Sequence, residues 1–133
     1  MHATYKKYIL NFKRPSGTSR GVMTEKETWF LLLEENGKIG IGECGLLRGL
    51  SIDDRPDYEE KLQWVCQNIQ LGKEQLWNEL MEFPSIQFGI EMAFLSLDAT
   101  TPFDLFPSEF TEGKKNMLIN GLVWMGEELF MKT

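Results

Sequence analysis

A single dipeptide, Asn36-Gly37, constrains the fold of this chain more than any other feature, because it separates two runs of strand-forming residues. The runs extend from Thr28 to Leu33 and from Lys38 to Cys44. Asn-Gly is strongly favoured in two-residue hairpin turns, since both turn positions require a positive φ. The sequence therefore predicts an antiparallel hairpin. Tyr5 to Phe12 alternates in the manner of a strand and is predicted to pair antiparallel with the first of these strands.

Two polar, glycine-rich segments bracket the predicted hairpin: RPSGTSRG from Arg14 to Gly21, and GLLRGLS from Gly45 to Ser51. Because a tight hairpin brings the outer ends of its strands together, we expect these segments to be neighbouring loops that cover a ligand. Within them, Arg20 and Arg48 are the charges of interest, because the guanidinium is a rigid fork of donors suited to carboxylates. The alternative for each arginine is a surface ion pair, or an anchor that binds loop carbonyls.

The middle of the chain is predicted to be helical. Asp54 is interpreted as the cap of a first helix that ends at Gly72. Its apolar residues follow the spacing of one helical face: Tyr58, Leu62, Val65, Cys66 and Ile69. A short second helix is predicted around Leu76 to Met81. Ser85 is interpreted as the cap of a third helix, from Ile86 to about Ala99, whose nearly all-round apolar surface predicts burial on several sides.

The run from Met117 to Met125 is almost continuously apolar, which is typical of a strand buried on both faces of a parallel sheet. One such strand without a parallel neighbour is not a complete fold. We therefore interpret the sequence as a domain followed by a truncated stub. An exposed apolar strand offers unpaired backbone groups to other chains, so self-association through residues 117–125 is expected.

Charge and hydropathy argue against several classes of partner. The net charge of −6 and the pI of about 4.8 argue against nucleic acid, because no basic stripe is present to neutralise phosphates. No apolar run reaches the length of a membrane span, and the N-terminus lacks the apolar core of a signal peptide. Cys44 and Cys66 have no metal-binding spacing, so we expect reduced thiols in a cytoplasmic protein.

The glycines at positions 40, 42 and 45 match the pattern G-x-G-x-x-G of dinucleotide-binding loops. That function also requires a helix that begins within the pattern and an acidic residue about twenty positions further on. Here the strand belongs to a hairpin, and position 65 is Val. We therefore interpret these glycines as positions where the strand packs closely against a neighbour and then turns.

Four short sequence motifs resemble those of a known family: RPSGTSRG, GIGEC, GLLRGLSID and INGLVWMG. Their order and spacing resemble the N-terminal capping domain of the enolase superfamily, and most closely the o-succinylbenzoate synthases of its muconate-lactonizing subgroup. The resemblance implies an α+β fold in which a three-stranded antiparallel sheet is followed by a helical bundle. It also implies a capping domain over residues 1–100, with a linker and the first strand of a truncated β/α barrel in residues 101–133.

The resemblance implies a function for the full-length protein rather than for this chain alone. In that family a barrel lysine abstracts a proton, and three acidic residues hold Mg²⁺, which stabilises the enediolate. The full-length enzyme would be a carbon–oxygen lyase that dehydrates a cyclohexadiene acid to o-succinylbenzoate in menaquinone synthesis. The family's catalytic K-x-K is absent from this sequence. No catalytic or metal-binding residue is therefore assigned, and the chain alone is expected to be inert and to hold no cofactor.

The resembled substrate is a small dicarboxylate, and the two bracketing segments supply the candidate substrate-binding residues. These are Ser16, Gly17, Thr18, Ser19, Arg20, Arg48, Gly49 and Leu50. Two alternatives stay open at this point. The chain could be the capping domain of a related N-acylamino acid racemase or dipeptide epimerase. It could also be a stand-alone α+β binding module, although the bare apolar run near its end argues against an independent module.

Overall fold

The computed structural model describes residues 1–18 and 20–121. Three strands, β1 (His2–Thr18), β2 (Gly21–Glu35) and β3 (Lys38–Cys44), form one antiparallel sheet in the order β1-β2-β3. The turn between β2 and β3 has Asn36 at φ 52° and Gly37 at φ 77°, the left-handed values that this dipeptide accommodates. The predicted hairpin and three-stranded antiparallel sheet are confirmed.

The three helices that follow are α1 (Tyr58–Gln67), α2 (Lys73–Glu79) and α3 (Pro84–Asp98), with a short 3-10 turn at Ile69–Leu71. They cover one face of the sheet. Side chains alternate across a strand, so every second residue of β2 enters the core. Completely buried residues include Trp29, Leu31 and Leu33 of β2 and, from the helices, Leu62, Val65, Ile86, Ile90 and Ala93. The predicted class, a sheet followed by a helical bundle, is therefore correct.

Two predicted helix caps are wrong. Helix α1 begins at Tyr58 after Asp57, not after Asp54, and it ends at Gln67 before the 3-10 turn. Helix α3 begins with Pro84, whose missing N–H costs nothing in a first turn, so Ser85 lies inside the helix. The Ser85 backbone N–H and hydroxyl both donate to the buried Asp53 carboxylate, at 2.8 and 2.6 Å.

Close packing between β3 and α3 explains the glycine pattern of β3. A Cβ at Gly42 would collide with the Gly89 carbonyl oxygen and would lie 2.8 Å from the Ala93 backbone nitrogen. At this short separation the Ser96 hydroxyl accepts a hydrogen bond from Ile41 N–H at 2.9 Å, so α3 satisfies part of the outer edge of β3. The interpretation as packing positions is confirmed for Gly40 and Gly42, whereas a Cβ at Gly45 would meet only the side-chain ends of Lys26 and Glu43, at 3.4 and 3.9 Å.

The sequence predicts a loop from Arg14 to Gly21, and this prediction is wrong: the segment is not a separate loop. Strands β1 and β2 continue into it and form a two-stranded ribbon, with Ser16 paired to Met23 and Thr18 paired to Gly21. Between the regular sheet and this ribbon the register shifts, so that residues 12–15 face only Thr24. A bulge of this kind bends and twists a strand pair. We call residues 16–18 and 20–23 the ribbon tip.

Residues 99–121 contain no helix or strand. Residues 117–121 belong to the predicted apolar strand, yet they are exposed and form no strand pairing with the other described residues of the chain. An isolated segment has no neighbouring strand from which to form a ladder, so regular β-structure does not develop there. The rest of that predicted strand, residues 122–125, lies outside the described residues. Within the described ranges, no helix has the length and apolar character needed to cross a membrane.

Candidate functional site

The loop that follows β3 is stabilised by its own hydrogen bonds. The Leu47 carbonyl accepts from Leu50 N–H at 3.1 Å and from Ser51 N–H at 2.9 Å. In return, the Ser51 hydroxyl accepts from Leu47 N–H at 2.9 Å. Gly49 occupies the third position of this turn with φ 75°, a conformation that strongly favours glycine. We call this element the 47–54 loop; its shape is set by local bonds.

Arg48 attaches the 47–54 loop to the sheet. Its Nε donates to Glu27 Oε2 at 2.9 Å, and its Nη1 donates to Asp54 Oδ1 at 2.7 Å. The guanidinium carbon also lies 5.4 Å from the ring centroid of Trp29, within the range of a cation–π contact. The hydrogen bond to Asp54 is the largest contribution that raises the pKa of Arg48. The guanidinium is therefore engaged by three groups of the protein itself.

Glu27 and Trp29 form the part of the sheet that receives Arg48. Glu27 binds a second cation, with its Oε1 2.7 Å from Lys7 Nζ, and this hydrogen bond is the main cause of its lowered pKa. Lys7 also lies 5.3 Å from the ring centroid of Trp29. Trp29 is completely buried and packs against Tyr58 with a centroid separation of 4.9 Å. Of the two residues that receive Arg48, Trp29 is thus part of the core and Glu27 is half-buried.

Asp54 links Arg48 to the backbone of the turn. One carboxylate oxygen binds Arg48, and the other, Oδ2, accepts from Gly49 N–H at 2.6 Å. That backbone hydrogen bond is the largest cause of the lowered pKa of Asp54. Asp54 therefore closes the 47–54 loop on itself, whereas the sequence had suggested a helix cap.

The ribbon tip meets the 47–54 loop through one side chain. Arg20 Nη1 donates to the Gly49 carbonyl at 2.6 Å. Beside it, the Thr18 hydroxyl donates to the Gly21 carbonyl at 2.8 Å and accepts from Arg20 N–H at 3.2 Å, which closes the turn between β1 and β2. The prediction that the two glycine-rich segments are neighbours is confirmed.

The candidate residues therefore fall into three groups. Arg20 and Gly49 are in direct contact, and Arg48 lies beside them but is bound to Glu27 and Asp54. Ser16 and Gly17 are paired in the ribbon, Thr18 closes its turn, and Leu50 donates its N–H within the loop. Ser19 lies outside the described residues.

Sequence reasoning missed Glu27 and Trp29, because both read as ordinary residues of a strand. Their partner Arg48 is 21 positions from Glu27, and only the fold shows that they meet. Among residues 1–18 and 20–121 there is no group of three or more His, Cys, Asp or Glu side chains that could hold a metal ion. These residues therefore do not fit a magnesium site.

Comparison with known proteins agrees with this architecture. Residues 2–97 match the family described as MenC, N-terminal domain. A curated o-succinylbenzoate synthase from Desulfotalea psychrophila is 33% identical, over 99% of this chain and 44% of its own length. The crystal structure of MenC from Desulfotalea psychrophila LSv54 superposes with a TM-score of 0.75 and 29% identity, over 99% of this chain and 44% of that one.

Another solved structure shares the fold alone. The o-succinylbenzoate synthase from Thermosynechococcus elongatus, complexed with Mg in its active site, is 19% identical with a TM-score of 0.56; the match covers 80% of this chain and 32% of that one. The sheet and helices define the α+β class of domain that these solved structures share. Within that class, the chain belongs to the MenC N-terminal domain family. It spans less than half the length of the curated relative that it matches.

Proposed function

We propose that this chain is the N-terminal, capping part of an o-succinylbenzoate synthase, in which residues 1–100 form the capping domain and residues 101–133 form a linker and the first barrel strand. The family match over residues 2–97 and the similarity to a curated o-succinylbenzoate synthase support this assignment. In this proposal the longer protein dehydrates a small dicarboxylate to o-succinylbenzoate in menaquinone synthesis, in the cytoplasm.

The observation that carries the proposal is the contact between Arg20 and the Gly49 carbonyl. It brings both candidate substrate-binding segments to one end of the sheet. A guanidinium has five N–H donors, and the bond to Gly49 uses one of them. The remaining donors give Arg20 the capacity to bind a substrate carboxylate while it still holds the loop.

The capping domain would bind and enclose the substrate, while the chemistry would occur in the rest of the longer protein. There, bound Mg²⁺ would stabilise negative charge that develops next to a carboxylate. The described part of this chain offers no such metal cluster, and its sequence has no K-x-K. We therefore assign no reaction step to its residues and expect no turnover by this chain alone.

A chimera tests the function directly. Residues 1–99 of this chain would replace the matching N-terminal part of the Desulfotalea psychrophila o-succinylbenzoate synthase, and formation of o-succinylbenzoate would be measured. We expect an active chimera in which Arg20→Ala lowers kcat/KM about tenfold, the effect of one charge-assisted hydrogen bond of about 1.5 kcal/mol. Lys13→Ala, which changes an exposed cation outside the ribbon tip, is the matched control and should have little effect.

The outcomes separate the open alternatives. A folded chimera that forms no o-succinylbenzoate but racemises an N-acylamino acid or epimerises a dipeptide would move the assignment to a related enzyme of the superfamily. A folded chimera that is inactive on all three substrates would favour a stand-alone binding module. An active chimera with an unaffected Arg20→Ala variant would retain the enzyme assignment and remove Arg20 from the substrate site.

We also propose that residues 117–125 drive self-association of the isolated chain. Three apolar residues of this segment are exposed: Met117, Leu118 and Ile119. An exposed apolar surface of this kind favours association with another chain. Light scattering of the chain, compared with a version that ends at Asn116, tests this. We expect only the full chain to associate. If the full chain and the shortened version are both monomers of equal solubility, the proposal is wrong.

A further inference from the structure

Arg48 is enclosed by groups of the protein on several sides. Glu27 and Asp54 bind two different nitrogens of its guanidinium, at 2.9 and 2.7 Å, and the ring of Trp29 lies alongside it. A substrate carboxylate would have to compete with two carboxylates that are already bound. The geometry therefore favours a role within the protein over direct contact with a ligand.

The contacts of Arg48 continue to Arg20 through Gly49. Asp54 binds Arg48 with one oxygen and Gly49 N–H with the other. On the far side of Gly49, its carbonyl accepts the hydrogen bond from Arg20. The left-handed conformation of Gly49 and the bond from Leu50 N–H to the Leu47 carbonyl set the direction of that carbonyl. One short path of contacts thus runs from the sheet to the ribbon tip.

We propose that Arg48 and Asp54 are positioning residues: together they hold the Gly49 carbonyl in the place where Arg20 binds it, and so hold the ribbon tip against the 47–54 loop. Arg48 is then not itself a ligand of the substrate. The consequence for catalysis rests on the proposed function above, whereas the consequence for the ribbon tip can be measured in this chain without any activity.

Limited digestion with trypsin provides the structural test. Trypsin must take the Arg20 side chain into its own pocket, so it can cut the Arg20–Gly21 bond only after Arg20 has left Gly49. Asp54→Ala and Arg48→Ala should each raise the cleavage rate at this bond about tenfold, if the lost hydrogen bonds shift the docked fraction by ~1.4 kcal/mol. Arg48→Lys should resemble Arg48→Ala, because an ammonium cannot reproduce the two-pronged geometry.

Two controls separate docking from unfolding. The Lys61–Leu62 bond lies within α1, where Leu62 is buried, so its cleavage reports opening of the whole domain. Asp104→Ala removes an exposed carboxylate far along the chain and should change neither bond. If Asp54→Ala leaves cleavage at Arg20–Gly21 unchanged, or raises cleavage at both bonds in parallel, the positioning role is wrong.

A double-mutant cycle in the chimera tests the catalytic consequence. If Arg48 acts only through Gly49 and Arg20, then Arg48→Ala should lower kcat/KM about fivefold with Arg20 present and less than about twofold in the Arg20→Ala background, since groups in one network are not additive. Equal losses in both backgrounds would mean that Arg48 contacts the substrate itself, which overturns the proposal. If the chimera is inactive, the proposed function fails, and the trypsin result alone decides the positioning role.

Discussion

The ribbon tip and the 47–54 loop look alike in sequence but differ in how they are held. Both are polar, rich in glycine and marked by one arginine of interest. The loop has reciprocal bonds between Leu47 and Ser51 and an internal bond from Arg48 to Asp54, and the bond from Arg48 to Glu27 ties it to the sheet. Across the described ranges 1–18 and 20–121, the one hydrogen bond from the ribbon tip to the rest of the domain is that of Arg20.

The difference has a local chemical cause. In the loop, Ser51 and Asp54 supply short side-chain acceptors that satisfy backbone N–H groups and fix the turn. In the ribbon, Pro15 lacks an N–H for the ladder, and the register shift occupies residues 12–15. A segment with few contacts to the core opens at low free-energy cost. The loop is thus the fixed acceptor, and the ribbon tip is the element that docks on it.

The largest loss of stability is expected from a substitution in the core of the domain, outside both the ribbon tip and the 47–54 loop. Gly42→Ala places a methyl group against the Gly89 carbonyl at the interface of β3 and α3. We expect the free energy of unfolding to fall by about 1–3 kcal/mol, as in other overpacked cores. The matched control is Gly17→Ala in the ribbon tip, where an added Cβ meets no atom within 4 Å.

Urea unfolding followed by circular dichroism measures both variants. The control should stay within about 0.5 kcal/mol of the original chain, since it adds a methyl group in open space. Equal destabilisation by both substitutions would mean that the ribbon tip is packed as tightly as the core, which would remove the distinction between the two regions.

The sequence was most informative where short-range rules decide the structure. The Asn36-Gly37 turn, the alternation of β2 and the close-packing glycines of β3 all follow from backbone conformation and side-chain size. The prediction that Arg20 and Arg48 lie in neighbouring segments also succeeded, because it needed only the geometry of a hairpin. These rules act within one or two elements and can be applied before the fold is known.

The errors occurred where a side chain bound a partner other than the end of a helix. Asp54 and Ser85 are both suitable helix caps, yet Asp54 binds Arg48 and Gly49, and Ser85 binds Asp53, which is 32 positions away. Likewise, the partnership of Glu27 with Arg48 depends on the placement of the loop beside the sheet. Local sequence preference indicates which hydrogen-bond partners a polar side chain can have, but the contacts of the folded protein decide which partner it binds.

An effect of intermediate size is expected from pH, and of the two regions compared it concerns the 47–54 loop, whose Asp54 and whose partner Glu27 both have a lowered pKa. The pKa of Asp54 is lowered from 3.8, chiefly by Gly49 N–H, and that of Glu27 is lowered from 4.5, chiefly by Lys7. A carboxylate with a depressed folded-state pKa stabilises the protein above its unfolded-state pKa, and this contribution is lost as the pH falls through the folded value.

The stabilising contribution of these carboxylates should therefore be complete above about pH 5 and should decline progressively below the ordinary values of 3.8 and 4.5. Asp54→Asn removes the stabilising contribution of the Asp54 charge. The difference in the free energy of unfolding between the original chain and this variant should therefore shrink in acid. A difference that stays constant from neutral pH to well below those values would show that the charge of Asp54 contributes nothing to the loop.

The smallest effect is expected from the single contact of the ribbon tip. Arg20→Ala removes one exposed hydrogen bond to the Gly49 carbonyl, so the free energy of unfolding should change by less than about 0.5 kcal/mol. Arg48→Ala removes the bonds to Glu27 and Asp54 together with the contact to Trp29, and should cost about 1 kcal/mol after allowance for solvent screening. Thermal and urea unfolding of both variants under one buffer condition measure the contrast. If Arg20→Ala proved as destabilising as Arg48→Ala, the ribbon tip would be part of the cooperative unit, and its docking on Gly49 would be a fixed structural contact instead of one that can open.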